Sequence, residues 1–397
     1  MEAAPVPGGD DGPGSSRAPA RRRAGGRRRQ VHRLVGLTAA VAIAAVAGAL
    51  LVRQDSSGEP GRSRTPAPAS RTLETGVEVF SLWRDWPVNE QMLDRVAESG
   101  AGWVRVGVGW CSLEEAGPGL VSEWYRDRLD ATVAQARQRG LQVLATLACT
   151  PTWLSGEESL TVLPADVREY ERVAHHLAER YAGRVAAWEI WNEPDCATGR
   201  CPDGDPAAYL PVLRAGYTGI KAGDPGATVV SGGVSGANAE WLQRLYAAGA
   251  AGWFDALALH PYQGPAAEPP EAPPADHPYR IANVQRVREV MVANGDGDRP
   301  IWFTEFGWTT GAGEGWQAGV DEATQAEYLG RAIAMIQDRY PYVTHAFVFT
   351  VRDRDDWNAY ENNFGLVRLD GTPKPSLTAF REVNDRLASH RAGRGFR

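Results

Sequence analysis

Short apolar segments alternate with amphipathic segments eight times after Glu74. The apolar segments are rich in β-branched and aromatic residues, which is typical of strands that are buried on both faces of a parallel sheet. The amphipathic segments repeat apolar residues at helical spacing, and Gly or Pro stands at many of the joins. The pattern predicts strands at residues 77–82, 103–110, 141–148, 185–192, 228–234, 254–262, 301–308 and 344–351. The clearest helices are predicted at residues 123–139, 165–181, 322–340 and 376–388.

Eight such strand–helix units favour an α/β fold, a closed (β/α)8 TIM barrel of parallel strands surrounded by helices. The competing fold is a doubly wound open sheet, whose dinucleotide-binding forms carry a Gly-rich phosphate turn after a strand. No predicted strand in this sequence is followed by such a turn. The barrel is therefore the preferred prediction.

The beginning of the chain has a different character. Residues 1–33 are rich in arginine, and residues 34–52 form an uncharged, mostly apolar run, close to the ~20 residues that a helix needs to cross a bilayer. The positive-inside rule then predicts a single-pass signal anchor in the cell membrane, with the barrel extracytoplasmic. The alternative is a cleaved signal peptide and a secreted barrel, because Ala45-Val46-Ala47 resembles a small-residue cleavage site.

The predicted domain division follows from these features. A basic cytoplasmic tail (1–33) and a transmembrane anchor (34–52) precede a flexible linker (53–73), the barrel (74–390) and a short tail (391–397). The formal net charge is −7, although residues 1–72 hold 12 Arg against 5 Asp and Glu, so the barrel is strongly acidic. An acidic barrel argues against nucleic acid as a partner. The protein is expected to act as a monomer.

Two glutamates at the ends of predicted strands carry the strongest chemical signal. Glu193 lies in Trp188-Glu189-Ile190-Trp191-Asn192-Glu193-Pro194 on strand four, and Glu305 lies in Trp302-Phe303-Thr304-Glu305-Phe306-Gly307-Trp308 on strand seven. Strands four and seven of such a barrel lie about 14 Å apart across the mouth, so two inward-reaching glutamates leave about 5 Å between their carboxylates. That gap matches the ~5–5.5 Å of a retaining glycosidase and is smaller than the ~6.5–9.5 Å of an inverting one.

These residues resemble the glycoside hydrolases of clan A. Together with Phe364-Gly365-Leu366-Val367 and Asp370-Gly371-Thr372-Pro373-Lys374-Pro375, they resemble the family 39-like members, of cellulase and β-xylosidase type, over roughly residues 77–380. The resemblance implies that Glu193 is the acid/base, that Glu305 is the nucleophile and that Asn192 binds the sugar 2-hydroxyl. It also implies that three further residues steady the nucleophile: Arg105, His260 and Tyr262.

Physical reasoning supports these roles but leaves structural roles open. Glu305 must be ionised to attack the anomeric carbon, and Arg105 and the Tyr262 hydroxyl would favour its charged form. Arg105 could instead neutralise Glu189 inside the barrel, because even-numbered strands contribute to the same interior layer. His260 could be a hydrogen-bonded core histidine.

Tryptophan is abundant, and several of the 14 tryptophans lie at or just after the ends of predicted strands. Aromatic rings stack on the C–H faces of sugars, so Trp308 is a candidate for substrate binding, with loop packing as the alternative. Clan A members usually carry a tryptophan at the end of strand eight, whereas residues 346–351 offer only phenylalanine. This difference leaves the preferred sugar open.

All four cysteines follow predicted strands on the active-site face of the barrel. Export favours oxidation, and four cysteines allow three pairings, of which we favour Cys111 with Cys149 and Cys196 with Cys201. A zinc site made by the same cysteines is the alternative.

The sequence thus predicts a retaining O-glycosyl hydrolase that cleaves a β-linked poly- or oligosaccharide by double displacement. Neither a cofactor nor a catalytic metal is expected. The alternative is a catalytically inactive barrel that binds cell-surface polysaccharide. The presence of a glutamate at both strand ends counts against that alternative.

Overall fold

The computed structural model describes residues 72–156, 161–196 and 204–394. The predicted basic tail, the membrane anchor and Cys201 lie outside the described residues, as does almost all of the linker. Within the described ranges, no helix has both the length and the apolar character that crossing a bilayer requires.

Eight parallel strands close into one barrel in which each strand pairs with its neighbours in sequence and β1 pairs with β8. This closure confirms the predicted barrel. The strands are β1 (Glu74–Val79), β2 (Trp103–Gly109), β3 (Gln142–Ala148), β4 (Ala187–Asn192), β5 (Thr228–Ser235), β6 (Leu257–His260), β7 (Ile301–Phe306) and β8 (Val343–Val348).

Helices connect these strands. They are α1 (Asn89–Glu98), α2 (Trp110–Leu113), α3 (Glu123–Gln138), α4 (Thr152–Ser155), α5 (Val167–Arg180), α6 (Pro206–Gly223), α7 (Ala239–Ala248), α8 (Val284–Ala293), α9 (Glu322–Arg339) and α10 (Pro375–Arg394). Short 3-10 turns lie at Trp86–Val88, Pro194–Cys196, Ile281–Asn283, Gly315–Gln317 and Glu361–Asn363.

Two predicted strands differ from the structure in their bounds. β1 lies three residues earlier than predicted, because residues 80–85 already form the turn that leads into the next helix. β6 contains only four residues, because the chain turns at Pro261, whose nitrogen has no hydrogen to donate to a strand ladder. Its register with β5 and β7 still holds the end of β6 at the mouth of the barrel.

The barrel interior changes from apolar to polar towards the carboxyl ends of the strands. On five strands a residue at the apolar level is followed, two positions later, by a polar residue on the same face. These pairs are Trp103 and Arg105, Leu144 and Thr146, Ala187 and Glu189, Ala258 and His260, and Trp302 and Thr304. A larger apolar cluster lies between the strands and the surrounding helices. The polar layer forms the floor of a cleft at the carboxyl ends of the strands, where TIM barrels carry their active sites.

Candidate active site

Glu193 and Glu305 face each other in this cleft, as the sequence predicted. One carboxylate oxygen of each, together with a ring nitrogen of His260, lies within 4.8 Å of the other two atoms. Glu305 is 8% exposed, whereas Glu193 is half-buried. The gap between the carboxylates is close to the ~5 to 5.5 Å of retaining glycosidases and too small for the water of an inverting enzyme.

The backbone at the end of β4 turns Glu193 towards the cleft. Trp191 has φ 75° and Glu193 has φ 44°, two left-handed conformations in residues that carry side chains. Such conformations are costly and persist only where the surrounding structure enforces them, which is common at active sites. The amide of Glu193 donates to the carbonyl of Gly233 at 2.9 Å, which fixes this part of the chain against β5.

A bulge at the end of β7 gives Glu305 its direction. Thr304 already contacts His260 in the barrel, so regular alternation would point the next side chain away from the cleft. The register between β7 and β8 shifts between Phe303 and Phe306, and this shift turns Glu305 inward. The carboxylate therefore depends on an irregularity of the strand as well as on its position in the barrel.

The environment of Glu305 favours its ionised form. Arg105 Nη1 lies 2.6 Å from Glu305 Oε1, and the Tyr262 hydroxyl donates to Glu305 Oε2 at 2.8 Å. Burial alone would raise the pKa of Glu305, but the positive charges of His260 and Arg105 and the donated hydrogen bonds hold it below its ordinary value. A carboxylate that stays ionised in a buried site is suited to nucleophilic attack.

His260 lies between the two glutamates. Its Nδ1 is 3.2 Å from Glu193 Oε1, and its Nε2 is 3.1 Å from the hydroxyl oxygen of Thr304 and 3.7 Å from Glu305 Oε1. Burial lowers the pKa of His260, but the negative charges of Glu305 and Glu193 outweigh it and raise the pKa to about 9. His260 is thus neither a mere core residue nor a contact of the nucleophile alone.

Arg105 contacts both Glu305 and Glu189, the two partners that the sequence left open. Besides Glu305, its guanidinium donates to Glu189 Oε2 at 2.8 Å, to Glu78 Oε2 at 2.6 Å and to Asn192 Oδ1 at 2.8 Å. Neutralising Glu189 and steadying the nucleophile are therefore compatible roles. The contact with Asn192 leaves the amide NH2 group of that residue as a donor for a sugar hydroxyl.

Sequence reasoning did not identify Glu78 as part of this cluster. Glu78 pairs in register with Arg105, and both side chains point into the barrel. Burial, opposed by the charge of Arg105 and reinforced by that of Glu305, raises the pKa of Glu78 to about 8. The signal in the sequence was a single acidic residue, Glu78, within a mostly apolar predicted strand.

Two further acidic residues near the pair were also missed. Asp195, two residues after Glu193, is buried, and its carboxylate accepts a hydrogen bond from the backbone amide of Ser235 at 3.0 Å. Burial, lessened by that hydrogen bond and supported by the charge of Glu193, raises the pKa of Asp195 to about 7. Burial and the charges of Glu305 and Glu193 likewise raise the pKa of Glu361 to about 7. Both follow strands in loops whose paths the sequence does not specify.

Trp308 does not have the predicted position in the cleft. It is 3% exposed, its indole nitrogen donates to the carbonyl of Glu268 at 2.9 Å, and its ring packs against Tyr328. Since a ring must present an open face to stack on a sugar, Trp308 anchors a loop instead. Tyr262, which contacts Glu305, packs against Phe349 and Phe364, with ring centroids 6.2 Å and 5.6 Å away.

The predicted disulfide between Cys111 and Cys149 is confirmed, with a sequence separation of 38 residues. It joins the segments that follow β2 and β3. Cys196 is also disulfide-bonded, whereas Cys201 lies outside the described residues, so the pairing of these two stays a prediction.

Glu193, Glu305 and His260 also lie close enough together to be ligands of a metal ion. However, His260 contacts Glu193 through one ring nitrogen and Thr304 through the other. Glu305 is held by Arg105 and Tyr262. The candidate ligand atoms therefore already have protein partners, and the Arg105 cation already lies beside Glu305. This arrangement fits acid–base chemistry better than metal binding.

A scan against protein-family models matches residues 164–390 to glycosyl hydrolases family 39. The chain belongs to this family. In this family 39 member the match includes Glu193, directly after β4, and Glu305 in β7. No match was found among curated proteins.

Solved structures of glycosidases share the fold of this family 39 chain. One is a family 39 glycoside hydrolase from Bacteroides cellulosilyticus WH2, with a TM-score of 0.65 and 23% identity, covering 79% of this chain and 64% of that one. GH5_18 from Streptomyces cattleya in complex with GlcNAc has a TM-score of 0.64 and 20% identity, covering 81% of each chain. A hyperthermophilic β-glucosidase from Pyrococcus furiosus has a TM-score of 0.59 and 14% identity, covering 80% of this chain and 95% of that one. This chain therefore spans less than two thirds of that family 39 structure.

Proposed function

We propose that this protein is a retaining glycoside hydrolase that cleaves O-glycosidic bonds by double displacement. The observation that carries the proposal is the approach of Glu193 and Glu305 to within 4.8 Å across a cleft. Membership of glycosyl hydrolases family 39 supports the same reaction. In this proposal Glu305 is the nucleophile and Glu193 is the acid/base.

In the first step the ionised Glu305 attacks the anomeric carbon of the sugar. The bond between that carbon and the leaving-group oxygen breaks as Glu193 gives its proton to the oxygen, which leaves a covalent glycosyl ester on Glu305. Arg105 and Tyr262 hold the attacking carboxylate in place. The imidazole of His260, whose Nδ1 lies 3.2 Å from Glu193 Oε1, is placed to donate to the carboxylate that Glu193 becomes once it has lost its proton.

In the second step water attacks the anomeric carbon and displaces Glu305. The carboxylate of Glu193 takes a proton from that water, so both glutamates return to their starting forms. Because the Glu305 ester is neutral, one of the two charges that raise the pKa of His260 is absent in the intermediate. Any positive charge on the His260 imidazole then acts mainly on the Glu193 carboxylate.

We further propose a β-linked poly- or oligosaccharide as the substrate. The β-glucosidase among the similar folds supports this substrate class. The basic segment followed by an apolar run at residues 34–52 supports a single-pass membrane protein whose barrel is extracytoplasmic. Fractionation of cells that produce the full chain tests the location, since full-length protein in the soluble medium would contradict the anchor.

A panel of 4-nitrophenyl glycosides and polysaccharides, tested with the wild type and Glu305→Ala, tests the reaction. We expect turnover of at least one member by the wild type. For Glu305→Ala we expect loss of turnover by a factor of at least about 10³ with retained sugar affinity. Equal behaviour of the two proteins would instead support the inactive, polysaccharide-binding barrel.

A further inference from the structure

Three tryptophans and one arginine form an exposed surface beside the cleft. Trp83 follows β1, and Trp124 is in the first turn of α3, so both lie at the catalytic end of the barrel. Trp83 is 54% exposed and Trp124 is 42% exposed, and their ring centroids are 4.7 Å apart. Large aromatic side chains are seldom this exposed in pairs without a binding role. We call Trp83, Trp86, Trp124 and Arg128 the tryptophan platform.

Arg128 holds the platform in shape. Its guanidinium carbon lies 5.0 Å from the ring centroid of Trp86 and 4.8 Å from that of Trp124. Arg128 Nη1 also donates to the carbonyl of Leu82 at 3.0 Å. The rings are therefore fixed before any ligand arrives, which lowers the entropic cost of binding.

Polar side chains border the platform. A surface pocket of about 500 Å³ adjoins Trp86 and is lined by Asn89, Glu90, Gln91 and Gln135, among others. Asn89 donates to Gln135 at 2.7 Å, and Gln135 donates to Glu90 at 3.1 Å. Asn89 is buried, so Gln91, which is exposed, is the amide at this pocket that can offer a donor and an acceptor to the hydroxyl groups of a carbohydrate.

The two charged groups of this surface, Arg128 and Glu90, already have partners within the protein. The Arg128 cation lies between two rings, and Glu90 lies 3.7 Å from Arg139. A neutral glycan, rather than a polyanion, fits such a surface.

The platform and the wall of the active site share the loop that follows β1. Phe80, three residues before Trp83, contacts Trp357 with ring centroids 5.8 Å apart. Phe80 also contacts Phe349, and Phe349 in turn packs on Tyr262, which donates to the nucleophile. The loop after β1 thus contributes to the cleft at one end and to the platform at the other.

We propose that the tryptophan platform is a second glycan-binding surface, which holds a section of a neutral polysaccharide chain away from the catalytic pair. The proposal rests on the glycosidase function proposed above and extends it, because it makes a polymer the preferred substrate. Trp83 and Trp124 supply exposed aromatic surface, and the exposed amide of Gln91 beside Trp86 supplies hydrogen bonds.

Affinity electrophoresis tests this surface apart from hydrolysis. The Glu305→Ala protein is run in native gels that contain hydroxyethyl cellulose, xylan, β-mannan or no polysaccharide. We expect retardation by at least one polymer, and we expect Trp83→Ala/Trp124→Ala in the same background to weaken binding roughly tenfold or more. Val292→Ala is the matched control, because Val292 is exposed on α8 outside the platform and should leave retardation unchanged.

A second variant separates stacking from misfolding. Trp83→Phe/Trp124→Phe keeps aromatic faces and should retain most of the retardation. No retardation by any of the three polymers, or equal retardation with and without the two tryptophans, would overturn the proposal. Equal loss in the Ala and Phe variants would also overturn it. So would a change of oligomeric state at unchanged retardation, because the platform would then be a contact between copies of the chain.

The hydrolysis of glycosides is measured in a separate assay, so the proposed reaction and the proposed binding surface can fail independently. A protein that hydrolyses no glycoside but shows retardation dependent on the platform would contradict the glycosidase function and keep the binding surface. A protein that hydrolyses 4-nitrophenyl glycosides but shows no retardation dependent on the platform would support the glycosidase function and contradict the binding surface.

Discussion

The facing carboxylate oxygens of Glu193 and Glu305 lie within 4.8 Å of each other. Left-handed backbone at the end of β4 directs one of them, and a bulge at the end of β7 directs the other. His260 contacts both, and Arg105 contacts only Glu305 of the two. Arg105 favours the ionised form of Glu305, which suits that residue to the role of nucleophile proposed above.

Removing the acid/base should affect substrates according to their leaving groups. We expect Glu193→Ala to reduce kcat/KM by about 10²–10⁴-fold for a glycoside with a poor leaving group, because protonation of the departing oxygen is then lost. A 2,4-dinitrophenyl glycoside, whose leaving group needs no proton, should retain its first step. Parallel losses for both substrates in steady-state kinetics would contradict the role of Glu193.

The position of His260 depends on a glycine. A Cβ atom at Gly233 would overlap His260 Nε2 and would lie 2.7 Å from the hydroxyl of Thr304. We therefore expect Gly233→Ala to displace the imidazole and to lower kcat by roughly 10²-fold, since small displacements at a reacting centre are costly.

Gly330→Ala is the matched control for this change. Gly330 lies in α9, and a Cβ atom there would have no neighbour within 4 Å. Its kcat should equal that of the wild type. Equal kcat values for Gly233→Ala and Gly330→Ala would show that the placement of His260 does not matter for turnover.

Glu78 should make the folded state less stable as the pH rises. Its pKa is about 8 in the folded protein against an ordinary value of 4.5, so the folded state binds more protons than the unfolded state between these values. Stability associated with Glu78 is fully present below pH 4.5 and is lost as the pH rises through about 8. Glu78→Gln keeps a hydrogen-bond acceptor for Arg105 without this titration.

Urea unfolding of the wild type and Glu78→Gln at pH 5 and pH 8 measures the effect. The free energy of unfolding of the wild type should fall further than that of the variant, by on the order of 2–4 kcal/mol. His260, whose pKa is raised to about 9, adds a loss of stability between pH 6.5 and 9 in both proteins. Parallel curves for the two proteins would contradict the burial of a protonated Glu78.

The disulfide between Cys111 and Cys149 should stabilise the barrel. It links residues 38 positions apart. Such a link restricts the unfolded chain and thereby stabilises the folded protein by about 2–4 kcal/mol. The free energy of unfolding of the Cys111→Ala/Cys149→Ala variant should be lower by that amount, so its urea midpoint should also be lower. An unchanged urea midpoint and slope would indicate that the disulfide contributes nothing to stability.

Much of this site followed from the sequence because it depends on strand order. The apolar runs around Glu193 and Glu305 identified β4 and β7, and eight repeats of the same pattern implied a closed barrel. Closure brings the ends of these two strands to opposite sides of one cleft. No detail of side-chain packing was needed for that step.

Other features of the site depend on local geometry that the sequence pattern does not contain. Regular alternation would place Thr304 and Glu305 on opposite faces, and only the bulge brings both towards His260. Arg105 was assigned either to Glu189 or to Glu305, whereas its several N–H donors serve both. Trp308 was assigned to the cleft because of its position in the chain, but its hydrogen bond to Glu268 and its packing on Tyr328 bury it in the loop.

Trapping of the covalent intermediate tests the central claim most directly. The wild type is incubated with a 2-deoxy-2-fluoro glycoside of the sugar that gives the highest turnover, and the digested protein is analysed by mass spectrometry. We predict one added glycosyl group, located on Glu305. A label on Glu193, Glu361 or any other residue would contradict the assignment of Glu305 as the nucleophile of a retaining reaction.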